Sequence, residues 1–436
     1  MPDLLDDLDR RGLIHDSTDR ASLGARMAEG PITLYYGCDP TAPSLHIGNL
    51  IGLLLLGRFQ DAGHRPIALA GGATGMVGDP SGRSEERNLL DDAALTANVA
   101  VIKEQMGRIV DLDAPGAALV DNRDWTGRLT LLEFLRDVGK HVTVNQMLAR
   151  ESVKARLESE HGISFTEFSY MLLQANDYLW LHDHHACDLQ IGGSDQWGNI
   201  LAGIDLVRRV RSDTVHGLCW PLLTAADGTK LGKTTGARVW LDARLTSPYA
   251  FFQHWMRTDD ADLRRFLAQF TRLPMEEVEA AVAAHEEAPQ RRLGQRALAE
   301  HVTTLVHGVA EANAAGEAAG VLFGGDPRQA SAAALAVVAQ EVPGTSLEAG
   351  EALSGGVELA PVLVRAGLAA SLSDARRQLQ HQGIAVNGAK AAPDRQLGPD
   401  DLLHGRWVLL RKGKRDWAVV DAGRSRAAHD SVGPPS

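Results

Sequence analysis

What most restricts the folding of this chain is a pattern repeated through its first half: a short apolar run, then a cluster of Gly, Pro, Asp or Asn, then a stretch with helical spacing. Runs at 33–36, 66–70, 118–121 and 189–192 read as strands, each followed by such a cluster, and a helix is expected over 48–62 after the first. A strand that must pass through a helix before the next strand does not return as a hairpin, so the pattern predicts βαβ units on a mostly parallel sheet. Such sheets take ligands at the carboxyl ends of their strands, which makes the Gly- and Asp-rich clusters the place to look for chemistry.

The overall class is therefore α/β. A Rossmann-like parallel-sheet catalytic domain is expected over 1–225. Near residue 258 the texture becomes Ala-, Glu- and Arg-rich with helical spacing, giving an all-helical domain over 226–325. A linker is expected over 326–357, a small α+β module over 358–421 and a disordered tail over 422–436. A chain of 436 residues suits two or three domains at roughly 150 residues each. Formal charge is −12, from 44 basic and 56 acidic residues, which argues against a protein that coats nucleic acid over its whole surface. The charge is uneven: residues 259–358 hold 7 basic and 16 acidic residues, whereas 359–420 hold 10 basic and 5 acidic. Cys38, Cys187 and Cys219 lie far apart with no C-x-x-C pairing, which fits a reducing compartment. The acidic start lacks a signal peptide's apolar region, and no apolar run nears the roughly 18 residues of a spanning helix, so a soluble, cytoplasmic protein is expected.

Two segments carry the strongest chemistry. In 34–49, LYYGCDPTAPSLHIGN, an apolar strand breaks at Gly37 and Pro40 and re-enters a helix near His46. The N–H groups of that first helical turn, with Thr41 and His46 nearby, form a cradle for a polyphosphate; alone, a His at a helix start is more simply a cap. In 227–236, DGTKLGKTTG, Lys230, Lys233 and Thr234 crowd one loop, two cations and a hydroxyl of the kind that stabilise charge moving toward a leaving phosphate. The helix expected over 165–181 places Tyr170, Gln174 and Asp177 at i, i+4 and i+7 on one face. A polar stripe on an apolar helix needs partners, because each buried polar group left unpaired costs roughly 1–3 kcal/mol. The Gly-rich run 71–82 contains neither GxxxxGK[ST] nor GxGxxG, so no P-loop or dinucleotide fingerprint is present. The cluster His182, Asp183, His184, His185 and Cys187 has the residue types of a metal box, but consecutive histidines cannot all face one ion, and no metal site is expected.

Taken together, 46–49 and 230–234 resemble the paired HIGH and KMSKS signatures of the class I aminoacyl-tRNA synthetases, with Asn49 in place of the final His and Leu231, Gly232 and Thr234 as departures in the second. The segments GGATGMVGDPSG, GISFTEFSYMLLQANDYL and LQIGGSDQWGNI are similar to the tyrosine-specific branch of that family, in content and in order. The resemblance implies activation of L-tyrosine by ATP with Mg2+, transfer of the tyrosyl group to tRNA(Tyr), no tightly bound cofactor, and a homodimer. It implies that Thr41, His46, Arg83, Arg87, Lys230, Lys233 and Thr234 act on the polyphosphate in the transition state. Tyr35 and Asp177 would hold the phenolic hydroxyl, Tyr170 and Gln174 the ammonium with Asp79 assisting, and Thr74 would belong to the same tyrosine-binding set. Gln196 would lie near the tyrosine carboxylate. Gly37, Asp39, His46, Gly48, Asn49, Gly193, Asp195 and Lys233 would contact ATP. Tyr36 and Gly52 stand where relatives place small polar residues facing the ribose.

The module from 359 onward is similar to the S4-like RNA-binding fold: two helices, a G-x-x-V-N-G turn at 383–388 and a basic strand pair. Arg376, Arg377, Lys390, Arg411, Lys412, Lys414 and Arg415 are the expected phosphate contacts, the class of contact that dominates RNA affinity.

Overall fold

The computed structural model describes residues 4–81, 90–157, 162–224, 238–347 and 353–423. The chain forms two compact units, one of Met1–Ser247 with His254–Val306, the other of Pro248–Gln253 with His307–Ser436.

The first unit is built on a six-stranded sheet in the order β1-β6-β5-β2-β3-β4. Its strands are β1 (Asp16–Ser17), β2 (Thr33–Cys38), β3 (Arg65–Ala70), β4 (Ala118–Asp121), β5 (Cys187–Gly193) and β6 (His216–Trp220). Every neighbouring pair from β6 to β4 is parallel; β1 alone runs antiparallel, against β6. The runs expected as strands all lie in this sheet, because strands covered on both faces are near-continuously apolar and stand out as such. β6 escaped that reading: HGLCW carries a His, a Gly and a Trp, yet all five residues are buried. The strand order reverses between β2 and β5, and the Gly37–Asp39 and Gly193–Asp195 clusters both end at this switch point.

Period-two alternation decides what β2 delivers. Tyr35 enters the core cluster beneath the helix Phe165–His185, edge to face with Tyr178 at 5.4 Å. Tyr36 points the other way, onto the helix Ile47–Asp61, edge to face with Trp220 at 5.4 Å. A Cβ at Gly52 of that helix would lie 2.5 Å from the Tyr36 ring and 2.8 Å from Trp220, so a residue without one is required there. The far end of the same helix carries buried Arg58, whose Nη2 donates to the carbonyl of Ala268 (3.2 Å), while Arg11 donates to Ala268 (3.1 Å) and Leu273 (2.9 Å). Two guanidiniums thus satisfy the carboxyl end of the helix Asp260–Phe270.

The second unit has a five-stranded sheet in the order β10-β9-β12-β13-β7. These are β7 (Gly344–Ser346), β9 (Ile384–Val386), β10 (Ala389–Lys390), β12 (Trp407–Lys412) and β13 (Asp416–Asp421); β8 (Val357–Glu358) and β11 (Gln396–Leu397) pair separately. Val408, Leu410, Ala418 and Val420 pack on the helices Leu359–Arg365 and Leu372–Gln380. Their alternates Trp407, Leu409, Trp417 and Val419 pack on Ala318, Val321, Leu335 and Val338. The N-G step expected as a turn is one: Asn387 and Gly388 have φ of 47° and 83°.

The linker expected over 326–357 needs correction. Ala332–Glu341 is a helix with Ala334, Leu335 and Val338 fully buried, and β7 pairs in parallel with β13. Residues 348–352 fall outside the described residues. The Ala-rich helix lacked a strong apolar stripe to announce it, and its buried face packs on the helix Val309–Leu322 and on Trp407, Leu409, Trp417 and Val419 of distant strands.

Candidate active site

The end of β2 and the start of the Ile47–Asp61 helix are locked by local chemistry. His46 is the N-cap: its Nδ1 accepts from Gly48 N–H at 3.0 Å, and Asn49 Oδ1 accepts from the His46 N–H at 3.1 Å, a reciprocal capping box. Asn49 therefore spends its oxygen on the cap, while its Nδ2 faces Cys38 Sγ at 3.9 Å. Burial first, then the nearby Arg238, pushes the His46 imidazole down to about 4. A neutral ring whose Nδ1 accepts carries its proton on Nε2, which makes that nitrogen a donor. Backbone pairing brings a distant segment to this point: Ile47 N–H donates to Val239 O (3.2 Å) and Leu241 N–H to Leu45 O (2.8 Å). Trp240 lies 6.2 Å from the His46 ring, with the Arg238 guanidinium 5.5 Å over its own ring.

Across the switch point the Phe165–His185 helix presents its polar stripe, and each member has a partner. Tyr170 Oη donates to Asp39 Oδ2 at 2.9 Å, and Thr74 Oγ1 donates to the other oxygen, Oδ1, at 2.7 Å. Gln174 Oε1 accepts from Asn199 Nδ2 at 3.0 Å. Asp177 accepts from Asn122 Nδ2 (2.9 Å) and Trp125 Nε1 (2.8 Å). Asn122 Nδ2 also donates to Thr74 Oγ1 at 2.9 Å, so one network runs Tyr170, Asp39, Thr74, Asn122, Asp177, Trp125. A Cβ at Gly71 would lie 2.2 Å from Asp39 Oδ1, so the first glycine of the Gly-rich run makes room for this carboxylate. On the opposite wall Gln196 Nε2 donates to Asp79 Oδ2 at 2.6 Å, and Asp195 follows Gly193 at the end of β5.

Electrostatics single out Asp177 and Tyr35. Asp177 is buried, and burial pushes its carboxyl up to about 7 against the lowering effect of its two donors. The Tyr35 hydroxyl is buried and has no hydrogen-bond partner among the described residues; burial first, then the Asp177 charge, holds it well above the usual phenol range. Burial likewise raises Tyr170, with Asp39 second. A buried, partnerless hydroxyl that feels the charge of a buried carboxylate suits a ligand that brings a hydroxyl of its own.

Sequence reasoning missed Asn122 and Trp125. The available signal was their place directly after β4, the same strand-end position that identified the other clusters. Arg83, Arg87, Lys230, Lys233 and Thr234 lie outside the described residues. In the His182–Cys187 stretch the rings face apart: His182 bonds Cys187 O and Asp213 at 3.0 Å each, whereas His184 stacks on Trp180. Among the described residues no three His, Cys, Asp or Glu converge as metal ligands.

Within the second unit, Arg376, Arg377, Lys390, Lys414 and Arg415 are exposed. Arg376 pairs with Glu358 at 3.4 Å and Arg377 with Asp374 at 2.7 Å. Lys412 is half-buried on the hairpin whose Gly413 N–H donates to Gly383 O at 2.9 Å. Arg411 differs from a free phosphate contact: it is half-buried with its guanidinium 5.1 Å over Trp417.

Residues 27–324 match the family model for class I tRNA synthetases (W and Y), and 335–420 match the tyrosine–tRNA ligase SYY-like C-terminal domain. The tyrosine–tRNA ligase of Opitutus terrae is 52% identical over 420 residues, covering 96% of this chain and 99% of that one. That of Roseiflexus castenholzii is 48% identical over 423 residues, covering 96% and 99%. The C-terminally truncated mitochondrial tyrosyl-tRNA synthetase of Aspergillus nidulans superposes with a TM-score of 0.67 at 34% identity, over 74% of this chain and 95% of that one.

Proposed function

The chain belongs to the class I tRNA synthetases of the tryptophan and tyrosine group, and from that premise we propose how its residues divide a tyrosine–tRNA ligase reaction among themselves. The enzyme activates L-tyrosine with ATP and passes the tyrosyl group to the 3'-terminal adenosine of tRNA(Tyr). In the first step a tyrosine carboxylate oxygen attacks the α-phosphorus, the bond to the bridging oxygen breaks, and pyrophosphate leaves. In the second, a hydroxyl of the terminal ribose attacks the adenylate carbonyl and AMP leaves. Mg2+ enters with the nucleotide as counter-ion of its polyphosphate.

One observation supports the amino-acid assignment above all: the partnerless, buried Tyr35 hydroxyl that feels the charge of Asp177. The phenolic hydroxyl of tyrosine would donate to Asp177 and accept from Tyr35. Phenylalanine would leave the Tyr35 hydroxyl unpaired and the buried Asp177 carboxylate without the donor that the substrate brings. A site built around a substrate hydroxyl rejects the analogue lacking it by ~10⁴ to 10⁵, a range for which tyrosine-specific synthetases are themselves the reference case. Tyr170, Gln174, Thr74, Asp79 and Gln196 line the route from there to the switch point and receive the ammonium and carboxylate. The His46 Nε2 proton and the helix N-terminus face the polyphosphate, with Gly37, Asp39, Thr41, Gly48, Asn49, Gly193 and Asp195 around the nucleotide. Lys230, Lys233 and Thr234 join them, with Arg83 and Arg87. Lys233 precedes Arg238 by five positions, a chain length of at most ~18 Å from the segment that bridges to His46. Lacking a covalent role, these cations raise the rate by stabilising charge that develops only in the transition state.

Pyrophosphate exchange with tyrosine, tryptophan and phenylalanine tests the reading: exchange with tyrosine alone is expected, and exchange with tryptophan alone would reassign the pocket. Lys233→Ala should lower adenylate formation by ~10² or more while tyrosine binding survives. An unchanged single-turnover rate would remove Lys233 from the machinery.

The homodimer rests on an apolar surface. Leu131 (70% exposed), Leu132 (77%), Val144 (60%) and Phe165 (77%) lie in the segment that runs from the helix Leu131–Glu133 to the first residue of the Phe165–His185 helix, a stretch rich in exposed apolar side chains. A second copy of this chain covers it in our reading, and Leu132→Glu should give monomers in sedimentation velocity. No helix among the described residues is long and apolar enough to cross a membrane, and the three cysteines are free thiols, which supports a cytoplasmic setting.

A further inference from the structure

Asp177 is held by two donors, and one of those donors is itself held. The Trp125 indole lies face to face on Trp180, ring centroids 4.1 Å apart and planes within 7°. His184 covers the same ring at 4.2 Å and 13°. Asp177, Trp180 and His184 occupy i, i+3 and i+7 of the Phe165–His185 helix, hence one face of it. Exposure is graded along that face, from buried Asp177 and Trp125 through half-buried Trp180 to exposed His184.

Trp125 itself comes from a separate helix, Arg123–Thr126, of only four residues. So short an element constrains the backbone but not the rotation of an indole about its side-chain torsions. An indole has one N–H, and turning the ring plane swings that donor away from its acceptor. The flat partner that fixes the plane is Trp180.

We propose that Trp180 is a positioning residue for amino-acid selectivity: its ring sets the plane of the Trp125 indole, and the indole N–H in turn holds the Asp177 carboxylate in the orientation that receives a phenolic hydroxyl. The side chain touches no substrate and acts through Trp125 alone. The proposal rests on Asp177 being a contact of tyrosine's hydroxyl, so its test includes that residue.

Steady-state pyrophosphate exchange is measured for Trp180→Ala, Trp180→Phe and Asp177→Ala, varying tyrosine, phenylalanine and ATP in turn. Loss of one stacked aromatic pair should raise the tyrosine KM of Trp180→Ala by about three- to tenfold and lower the tyrosine-to-phenylalanine ratio of kcat/KM by a similar factor. The ATP KM should stay within about twofold, and Trp180→Phe, which keeps a flat ring, should recover most of the loss. If Trp180→Ala does not fold, Trp180→Leu keeps apolar bulk without a plane and carries the same comparison. A folded variant with wild-type tyrosine KM and selectivity overturns the proposal, as does a matched rise in the tyrosine and ATP KM that Trp180→Phe fails to rescue. Asp177→Ala separates the two levels. Should it leave tyrosine KM and selectivity unchanged, the pocket assignment fails; should it alter them while the Trp180 variants do not, only the role of Trp180 fails.

Discussion

Two groups of the candidate site, half-buried His46 and buried Asp177, titrate away from their ordinary values, and they do so in opposite senses. His46 is pushed down to about 4, so the imidazole is neutral through the working range; its contribution to stability is present above the free value of 6.5 and is lost as pH falls toward 4. Asp177 is pushed up to about 7 from 3.8, which means the fold holds its proton more tightly than the unfolded chain does. That contribution is complete below pH ~4 and is lost as pH rises through 7, by at most ~4 kcal/mol. In the absence of tyrosine, the melting temperature of the wild type should therefore decline between pH 5 and 8 relative to Asp177→Asn, whose side chain does not ionise. Parallel curves over that window would show that Asp177 is already charged at pH 5. With Asp177 receiving the substrate hydroxyl as proposed, ligand binding would offset this penalty by supplying a further donor.

Elements show why parts of this fold could be read from the sequence and parts could not. Parallel strands buried on both faces announce themselves as apolar runs, and the polar stripe of Tyr170, Gln174 and Asp177 was legible from helical spacing alone, because a buried polar group demands a partner wherever it lies. Which partner was not legible. Asn122 and Trp125 reach Asp177 from a helix of four residues, too short for any periodicity, and β6 hid behind its His and Trp. The helix Ala332–Glu341 was concealed by composition, and part of its packing comes from Trp407, Leu409, Trp417 and Val419, far along the chain. His46 stands between these cases: its reading as a cap and its reading as a phosphate donor are both available, and the geometry makes them one device, Nδ1 bound to the helix and Nε2 free to donate. Substitution separates the two halves. His46→Asn keeps a good N-cap acceptor and should unfold within ~0.5 kcal/mol of wild type, whereas His46→Ala should lose ~1 kcal/mol in denaturant titration. Both should slow adenylate formation, by ~10² if the Nε2 proton meets developing charge. A wild-type rate in His46→Asn would leave the imidazole with capping alone.

At the scale of the whole molecule the question is how a chain of net charge −12 holds a polyanion. The charge is segregated: residues 359–420 carry 10 basic against 5 acidic residues, whereas 259–358 carry 7 against 16. Within the basic module the cations are of two kinds. Lys414 and Arg415 stand exposed at the tip of the hairpin joining β12 and β13, free to displace counter-ions from a phosphate backbone. Arg411, one strand position inward of Lys412, lies over Trp417, and Trp417 anchors the sheet by donating to Leu322 O at 3.1 Å. The salt dependence of tRNA binding discriminates between them, because each phosphate contact removed lowers the slope of log affinity against log salt by ~0.7 to 0.9. Lys414→Ala with Arg415→Ala should reduce that slope by roughly 1.5 between 50 and 200 mM salt while leaving thermal stability and pyrophosphate exchange unchanged. Arg411→Ala should do the reverse, lowering the melting temperature of the module through lost packing and cation–π contact with little change in slope. A slope unmoved by the hairpin pair would transfer the phosphate contacts to Arg376, Arg377 and Lys390.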